Sequence, residues 1–208
     1  MLQYSTIEPR TLDVLNKLMQ IPALADFYLV GGTALSLYFG HRLSVDIDLF
    51  STKEFINEPL AVLLENHFTG FVYRNTRNPI GLFGAIDDIK VDFVKHHYHP
   101  LINEPIIENG IRLFSIPDIM AMKIAAVMKR GVKKDFWDIA ELLQHYSVND
   151  FISYYTKKYP SQQSLISVPF ALTYFTDAEE SEDPVSLKGQ TWASVKKIIQ
   201  QHVNDYLK

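Results

Sequence analysis

The feature that most constrains this chain is a pair of glycines, Gly31-Gly32, directly after the short apolar run Phe27–Val30. An apolar run of this length that ends in Gly-Gly predicts a buried strand entering a tight turn. Glycines let the backbone approach a ligand closely, and the free N–H groups at the start of a following helix favour an anion such as a phosphate. That helix is predicted over residues 34–39, with Thr33 as its cap.

Asp46 and Asp48 add paired carboxylates to this unit. Polar and apolar residues alternate over 45–50, which is typical of a strand, and residues i and i+2 of a strand project from the same face. The two aspartates should therefore lie side by side, close to the glycine turn.

Asp92 is a third candidate carboxylate, set between apolar neighbours on a strand predicted over residues 90–95. Aspartate is unfavourable inside a strand, so a compensating role is expected. Mg²⁺ prefers a few carboxylates plus phosphate oxygens, and two such ions can activate an attacking hydroxyl and stabilise a leaving pyrophosphate. A lone Gly-Gly is typical of a turn and a lone Asp-x-Asp of a solvated strand face. Their order, followed by a strand aspartate, favours a metal-dependent active site.

The rest of the pattern predicts an α+β chain with a soft boundary near residue 115. Further strands are predicted over 71–75 and 80–86, with a turn at 87–88. Helical spacing of apolar residues covers 8–20, 54–67, 116–128, 133–144, 151–159 and 185–206. The acidic stretch 178–184 predicts a loop. We therefore expect a small mixed-sheet domain over residues 1–115 and a helical domain over residues 116–208.

Composition bears on location and partners. The 208 residues include no cysteine, which excludes disulfides and Cys-ligated zinc. No stretch approaches the roughly 20 apolar residues needed to span a bilayer. We expect a cytoplasmic protein with no membrane partner. The net charge is −4, so any contact with nucleic acid must come from a local basic patch.

Such a patch is predicted between residues 123 and 134, where five cations occur without an acid. They are Lys123, Lys129, Arg130, Lys133 and Lys134. A phosphate- or RNA-binding surface is favoured over a solvated helix face. The histidines of the segment 96–99 are instead interpreted as surface residues, because no matched set of metal ligands accompanies them.

Three segments resemble the AbiEii/AbiGii toxin family, nucleotidyltransferase-like proteins of the DNA polymerase β type. Residues 27–35 with 42–49 are similar to the family's first motif, and residues 90–93 to its second carboxylate motif. Residues 118–138 resemble its helical signature through Lys123, Lys134-Asp135 and Asp138. The resemblance covers roughly residues 27–143. It implies a nucleotidyltransferase domain with an appended helical domain. It also implies the toxin half of a toxin–antitoxin or phage-defence system, with a cognate antitoxin as partner.

The resemblance further implies roles for individual residues. Asp46, Asp48 and Asp92 would ligate Mg²⁺, as two ions, and Asp92 would also help to activate the acceptor hydroxyl. Lys123 and Asp135 would complete the catalytic set from the helical region. The residues implied to bind the nucleoside triphosphate substrate, or to support its binding, are Gly31, Gly32, Thr33, Arg42, Ser44 and Lys134.

The acceptor is the least constrained part of the prediction. By resemblance it is RNA, in particular the 3′ end of transfer RNA, and the basic cluster favours RNA. A small molecule or a protein side chain is an alternative acceptor. A catalytically decayed interaction module is a third alternative, against which the intact set of three carboxylates argues.

Overall fold

A mixed β-sheet forms the centre of the fold in the computed structural model, which describes residues 1–161 and 167–208. Its strands are β1 (Phe27–Leu29), β2 (Ile47–Ser51), β3 (Phe71–Tyr73), β4 (Gly81–Ile86), β5 (Ile89–Lys95), β6 (Ile106–Glu108) and β7 (Ile111–Leu113). Within the described residues the sheet order is β3-β4-β5-β2-β1-β7-β6. The predicted α+β class with a mixed sheet is confirmed.

The register of three neighbouring strands positions the candidate site. Strands β2 and β5 run parallel with Asp48 opposite Asp92, and β4 runs antiparallel to β5 with Phe83 opposite Asp92. The β4–β5 hairpin turns through Asp87 and Asp88, whose φ angles of 49° and 68° suit a type I′ turn. The predicted turn is confirmed. It fixes Phe83, Asp92 and Asp48 in one row across the sheet.

Helices surround this sheet and extend the chain beyond it. They are α1 (Pro9–Gln20), α2 (Gly31–Phe39), α3 (Asn57–His67), α4 (Ile116–Lys129), α5 (Lys133–Leu142), α6 (Val148–Lys158), α7 (Val168–Thr173) and α8 (Trp192–Tyr206). Helix α4 packs against α5, α6 and α7, and α5 packs against α8. Both α4 and α5 also contact α2, so the later helices are held against the helix that follows the glycine turn.

The predicted start of α2 is wrong. The helix begins at Gly31 rather than at Ala34, so Thr33 lies inside its first turn and does not cap it. The Thr33 hydroxyl instead bonds to the Ser44 hydroxyl at 2.8 Å and to the backbone carbonyl of Asp46. A buried threonine at this point thus joins α2 to the segment that enters β2.

The predicted helix over residues 185–206 is wrong at its start, because α8 begins only at Trp192. The residues directly before it are not helical, and Ser186 forms an isolated antiparallel bridge with Arg42. Thr191 then caps α8 by accepting a hydrogen bond from the backbone of Ser194. Pairing with the loop after α2 therefore overrides the apolar spacing of this segment.

Smaller differences concern short elements. Helix α3 begins at Asn57 rather than residue 54, and β6, β7 and α7 were not predicted. Strands β6 and β7 have three residues each, too few for an alternating pattern to emerge. The division near residue 115 falls between β7 and α4, and its status as a domain boundary remains a proposal. Across the described ranges, no helix is both long and apolar enough to cross a membrane.

Candidate active site

A cleft of about 450 Å³ is lined by residues of β2, β4 and β5 together with residues of α2, α4 and α5. The structure brings together here every site residue predicted from the sequence: Gly31, Gly32, Thr33, Arg42, Ser44, Asp46, Asp48, Asp92, Lys123, Lys134 and Asp135. These residues come from segments far apart in the chain, so the cleft is assembled by the fold rather than by one motif.

The three candidate carboxylates lie on one face of the sheet. Asp46 immediately precedes β2, while Asp48 and Asp92 are direct neighbours on adjacent strands. Two ammonium groups neutralise the outer carboxylates: Lys134 Nζ lies 2.9 Å from Asp46 Oδ2, and Lys90 Nζ lies 2.5 Å from Asp92 Oδ2. The carboxylate of Asp48 forms no ion pair within the described residues, so it is the least compensated of the three.

The pKa shifts agree with this arrangement. Burial raises the pKa of Asp48 above its ordinary value, and the carboxylates of Asp92 and Asp46 add to the increase. Burial also acts to raise the pKa of Asp46, but the hydrogen bond and charge of Lys134 outweigh it and lower that pKa. The site therefore holds a charge density that a cation would relieve.

The donor set fits divalent cations such as Mg²⁺, which bind carboxylate oxygens. Over the ranges that the structure describes, no three His, Asp or Glu side chains already surround one point. The lysines that contact Asp46 and Asp92 supply positive charge there instead. A metal role for Asp46, Asp48 and Asp92 thus rests on their shared face and on the uncompensated charge at Asp48.

The glycine turn fits closely against this acidic face. Gly31 has φ of +70°, and a Cβ added there would come within 2.7 Å of Asp48 Oδ2. A Cβ at Gly32 would collide with the Arg42 guanidinium. Glycine at both positions therefore lets the N-terminus of α2 lie directly beside the Asp48 carboxylate and the Arg42 guanidinium.

A buried ionic network supports the cleft from the helical side. Asp138 accepts hydrogen bonds from His41 Nε2 at 2.7 Å and from Arg42 Nε and a terminal Arg42 nitrogen at 2.7 and 3.0 Å. Lys123 Nζ lies 2.6 Å from Asp138 and 2.8 Å from Asp135. Burial opposes ionisation of Asp138, but Arg42 and Lys123 hold its pKa well below the ordinary value. The network joins the loop after α2 to α4 and α5 through charged side chains.

Several predicted binding residues are therefore engaged with protein groups. Arg42 is 3% exposed and its guanidinium faces Asp138, while Lys123 faces two carboxylates. Thr33 and Ser44 bond to one another. These contacts position the segment that carries Asp46. Direct contact of these side chains with a nucleotide stays a prediction.

Residues 13–159 match the model of a family described as "Nucleotidyl transferase AbiEii toxin, Type IV TA system". The chain belongs to this family. It is therefore a nucleotidyltransferase of a toxin–antitoxin family, and the resemblance seen in its motifs is confirmed.

Individual proteins similar to this AbiEii-family chain extend the match to nearly its full length. It is 31% identical over 201 residues to the uncharacterized protein aq_aa25 of Aquifex aeolicus (strain VF5), covering 94% of this chain and 95% of that protein. The nucleotidyltransferase toxin MenT4 of Mycobacterium tuberculosis H37Rv has a similar fold, with a TM-score of 0.55 at 14% identity, covering 93% of this chain and 82% of that one. JHP933 from Helicobacter pylori gives a TM-score of 0.51 at 17% identity, covering 96% and 94% of the two chains.

The basic cluster of this AbiEii-family protein is not one surface. Lys129, Arg130 and Lys134 line the cleft with exposed side chains, whereas Lys123, which also lines it, is buried in the ionic network. Lys133 pairs with Asp183 at 2.8 Å and lies over the Trp192 ring. The five cations therefore form two groups. Lys129, Arg130 and Lys134 face the cleft, whereas Lys123 and Lys133 join elements of the fold.

The predicted surface position of the histidine segment is wrong for His96. Its side chain is 5% exposed and its ring packs near Phe50 and Phe114. Burial, aided by the charge of Lys158, lowers the pKa of His96 to about 3. His96 is thus a neutral ring at the apolar end of the cleft.

Sequence reasoning missed Lys90 and His41 as site residues, and it quoted Asp138 as part of the helical signature without giving it a role in the site. Lys90 stands two positions before Asp92 on β5, and strand alternation alone would have placed the two on one face. Asp138 lies one helical turn after Asp135, so helical spacing would have placed it beside a predicted residue. His41 gives no sequence signal, because only the fold brings it to Asp138.

Proposed function

We propose that this protein catalyses the Mg²⁺-dependent transfer of a nucleoside monophosphate from a nucleoside triphosphate to an RNA end, with the 3′ end of transfer RNA as its acceptor. The observation that carries the proposal is the group of three carboxylates, Asp46, Asp48 and Asp92, that lines the cleft beside the N-terminus of α2. Carboxylates and a phosphate-binding helix start meet at one point of the cleft.

The carboxylates of Asp46, Asp48 and Asp92 would hold the Mg²⁺ ions. Bound there, the ions supply positive charge to the triphosphate and to the acceptor oxygen. Asp48 is the central ligand, because its carboxylate forms no ion pair in the part of the chain described. Lys134 and Lys90, which contact Asp46 and Asp92, have exposed side chains, so both carboxylates remain accessible from the cleft.

The triphosphate would lie between the N-terminus of α2 and the cations at the end of α4 and the start of α5. The backbone N–H groups of Gly31 and Gly32, at the start of α2, would bind it. The missing side chains leave room for Asp48 and Arg42 beside this helix start. Lys129, Arg130 and Lys134 line the same cleft and contribute positive charge to phosphates. The cleft-facing part of the basic cluster is thus assigned to the nucleotide.

The transfer itself forms a bond between the acceptor oxygen and the α-phosphorus and breaks the bond from that phosphorus to the bridging oxygen. Pyrophosphate leaves with the bonding electrons. Asp92 accepts the proton of the acceptor hydroxyl, and Lys90 holds the Asp92 carboxylate by its hydrogen bond. Arg42, Thr33 and Ser44 keep Asp46 in place, and Lys123 and Asp135 fix α4 against α5.

Membership of a toxin–antitoxin family supports a cognate antitoxin as partner, and we place the protein in the cytoplasm, where NTPs and transfer RNA occur together. A small molecule or a protein side chain is the competing acceptor. A catalytically decayed module is the remaining alternative, and it predicts no transfer to any acceptor.

The test is incubation of the purified protein with Mg²⁺, each labelled NTP in turn and total RNA, followed by separation of RNA, protein and small molecules. Label in an RNA band that requires Mg²⁺ supports the proposal, and sequencing of that band identifies the acceptor end. Label only in protein or small molecules contradicts the RNA acceptor. The absence of label from every fraction supports a decayed module.

A further inference from the structure

A second cavity, of about 670 Å³, adjoins the cleft on the side of β3 and β4. The two cavities share three lining residues, Phe83, Lys90 and Asp92. They therefore meet at Asp92, the carboxylate proposed to accept the proton of the acceptor hydroxyl. An acceptor that enters through the second cavity reaches Asp92 without crossing the space assigned to the triphosphate.

Phe83 lies where the two cavities meet, and packing of the hydrophobic core does not explain its presence there. It is the direct neighbour of Asp92 across the β4–β5 ladder, and it is only partly buried. Within the described residues, Phe83 is not among the side chains that form or pack against the hydrophobic core. A large aromatic ring beside a catalytic carboxylate, without core packing, is suited to stack on a ligand ring.

Arg74 supplies positive charge farther along the same groove. Its backbone N–H bonds to the Phe83 carbonyl, so it stands beside Phe83 on the continuation of the edge strand β3. Two strand spacings separate it from Asp92, roughly 10 Å. Arg42 and Arg130 are the arginines that form ion pairs among the described residues, and the exposed Arg74 is not one of them.

We propose that this groove is the acceptor site and that it takes a single-stranded RNA end. The terminal base stacks on Phe83, its ribose hydroxyl faces Asp92, and Arg74 binds a phosphate that precedes it. Proteins that bind single-stranded nucleic acid without sequence preference combine aromatic platforms with positive charge in this way. The inference rests on the proposed function for the identity of the reaction, and its binding test is independent of transfer.

The experiment measures binding of a fluorescent single-stranded RNA to the full chain by anisotropy, across a series of salt concentrations. Phe83→Leu should weaken RNA binding about 5- to 150-fold, the loss expected when one base–aromatic stack is removed. Arg74→Gln should reduce the log–log salt slope by about 0.7, as one phosphate contact is lost. Both variants should unfold at the wild-type temperature, because neither side chain belongs to the core.

Two variants serve as matched controls. Phe170→Leu removes an exposed aromatic ring on α7, and Lys197→Gln removes an exposed cation on α8. Both residues lie outside the two cavities. Neither change should alter RNA affinity or the salt slope.

Binding and transfer results separate the two proposals. Wild-type affinity and salt slope in both Phe83→Leu and Arg74→Gln overturn the groove assignment, even if label is transferred to RNA. A wild-type chain that binds no RNA overturns it as well. If the variants lose RNA binding and the wild type transfers no label, the groove assignment is supported and the proposed reaction is contradicted. If Phe83→Leu impairs modification of a small acceptor and Arg74→Gln does not, the RNA occupant is wrong.

Discussion

Replacing Asp138 with asparagine should destabilise the protein strongly. The Asp138 carboxylate is fully buried and balances Arg42 and Lys123, which are themselves almost fully buried. The substitution would leave Arg42 facing a neutral amide and Lys123 with Asp135 as its remaining carboxylate partner. Removing one partner of a buried ion pair typically costs about 3–5 kcal/mol. For a chain of this size, each kcal/mol lowers the melting temperature by about 2–4 °C, so the decrease should be about 6–20 °C.

The assay is thermal and urea unfolding followed by circular dichroism, with Asp183→Asn as the matched control. Asp183 also pairs with a lysine, Lys133, but its side chain is 54% exposed. The control should therefore change stability by no more than about 1 kcal/mol. A loss below about 1 kcal/mol for Asp138→Asn would refute the view that this network holds the loop after α2 against α4 and α5.

The pH dependence gives a second check on the same residue. The folded-state pKa of Asp138 lies well below the unfolded value of about 3.9. Its contribution to stability is therefore complete above that pH and is lost as the pH falls towards the folded-state pKa. The stability difference between wild type and Asp138→Asn should accordingly shrink as the pH is lowered below about 4.

The remaining predictions concern the cleft. Asp48→Asn should abolish transfer. It should also stabilise the fold by about 0.5–2 kcal/mol at about pH 7, because the raised pKa of Asp48 means that its ionised form opposes folding. An unfolding curve measures this gain in stability. Mg²⁺ at about 100 times its Kd should stabilise the wild type by about 2.7 kcal/mol and leave the Asp48→Asn variant unchanged in the same assay. Lys134→Gln should raise the KM for NTP, whereas Lys133→Gln, which breaks a pair outside the cleft, should leave it at the wild-type value in steady-state kinetics.

Much of the fold and most of the cleft residues could be predicted from patterns within short stretches of sequence. The glycine turn, the alternation around Asp46 and Asp48, and the isolated Asp92 each follow from rules that act over a few residues. Their convergence on one sheet face could be expected once a strand order was assumed. The Asp87-Asp88 turn likewise depends only on two adjacent residues.

What the sequence did not reveal depends on contacts between distant segments. His41 and Asp138 meet only because α5 packs on α2, and Lys133 is neutralised by Asp183, far along the chain. The segment before Trp192 loses its helical spacing to pairing with the loop at Arg42. Such pairings have no local signal, so the division of the basic cluster could not be predicted.

The central claim is tested most directly by following the label of an NTP labelled at either its α- or its γ-phosphate. The purified wild type and its Asp46→Asn variant are each incubated with Mg²⁺ and RNA, with and without a chelator. Wild type should transfer the α-label to RNA and release the γ-label as pyrophosphate, and the chelator or Asp46→Asn should stop both. Transfer of the γ-label, or equal transfer by Asp46→Asn, would contradict nucleotidyl transfer at these carboxylates.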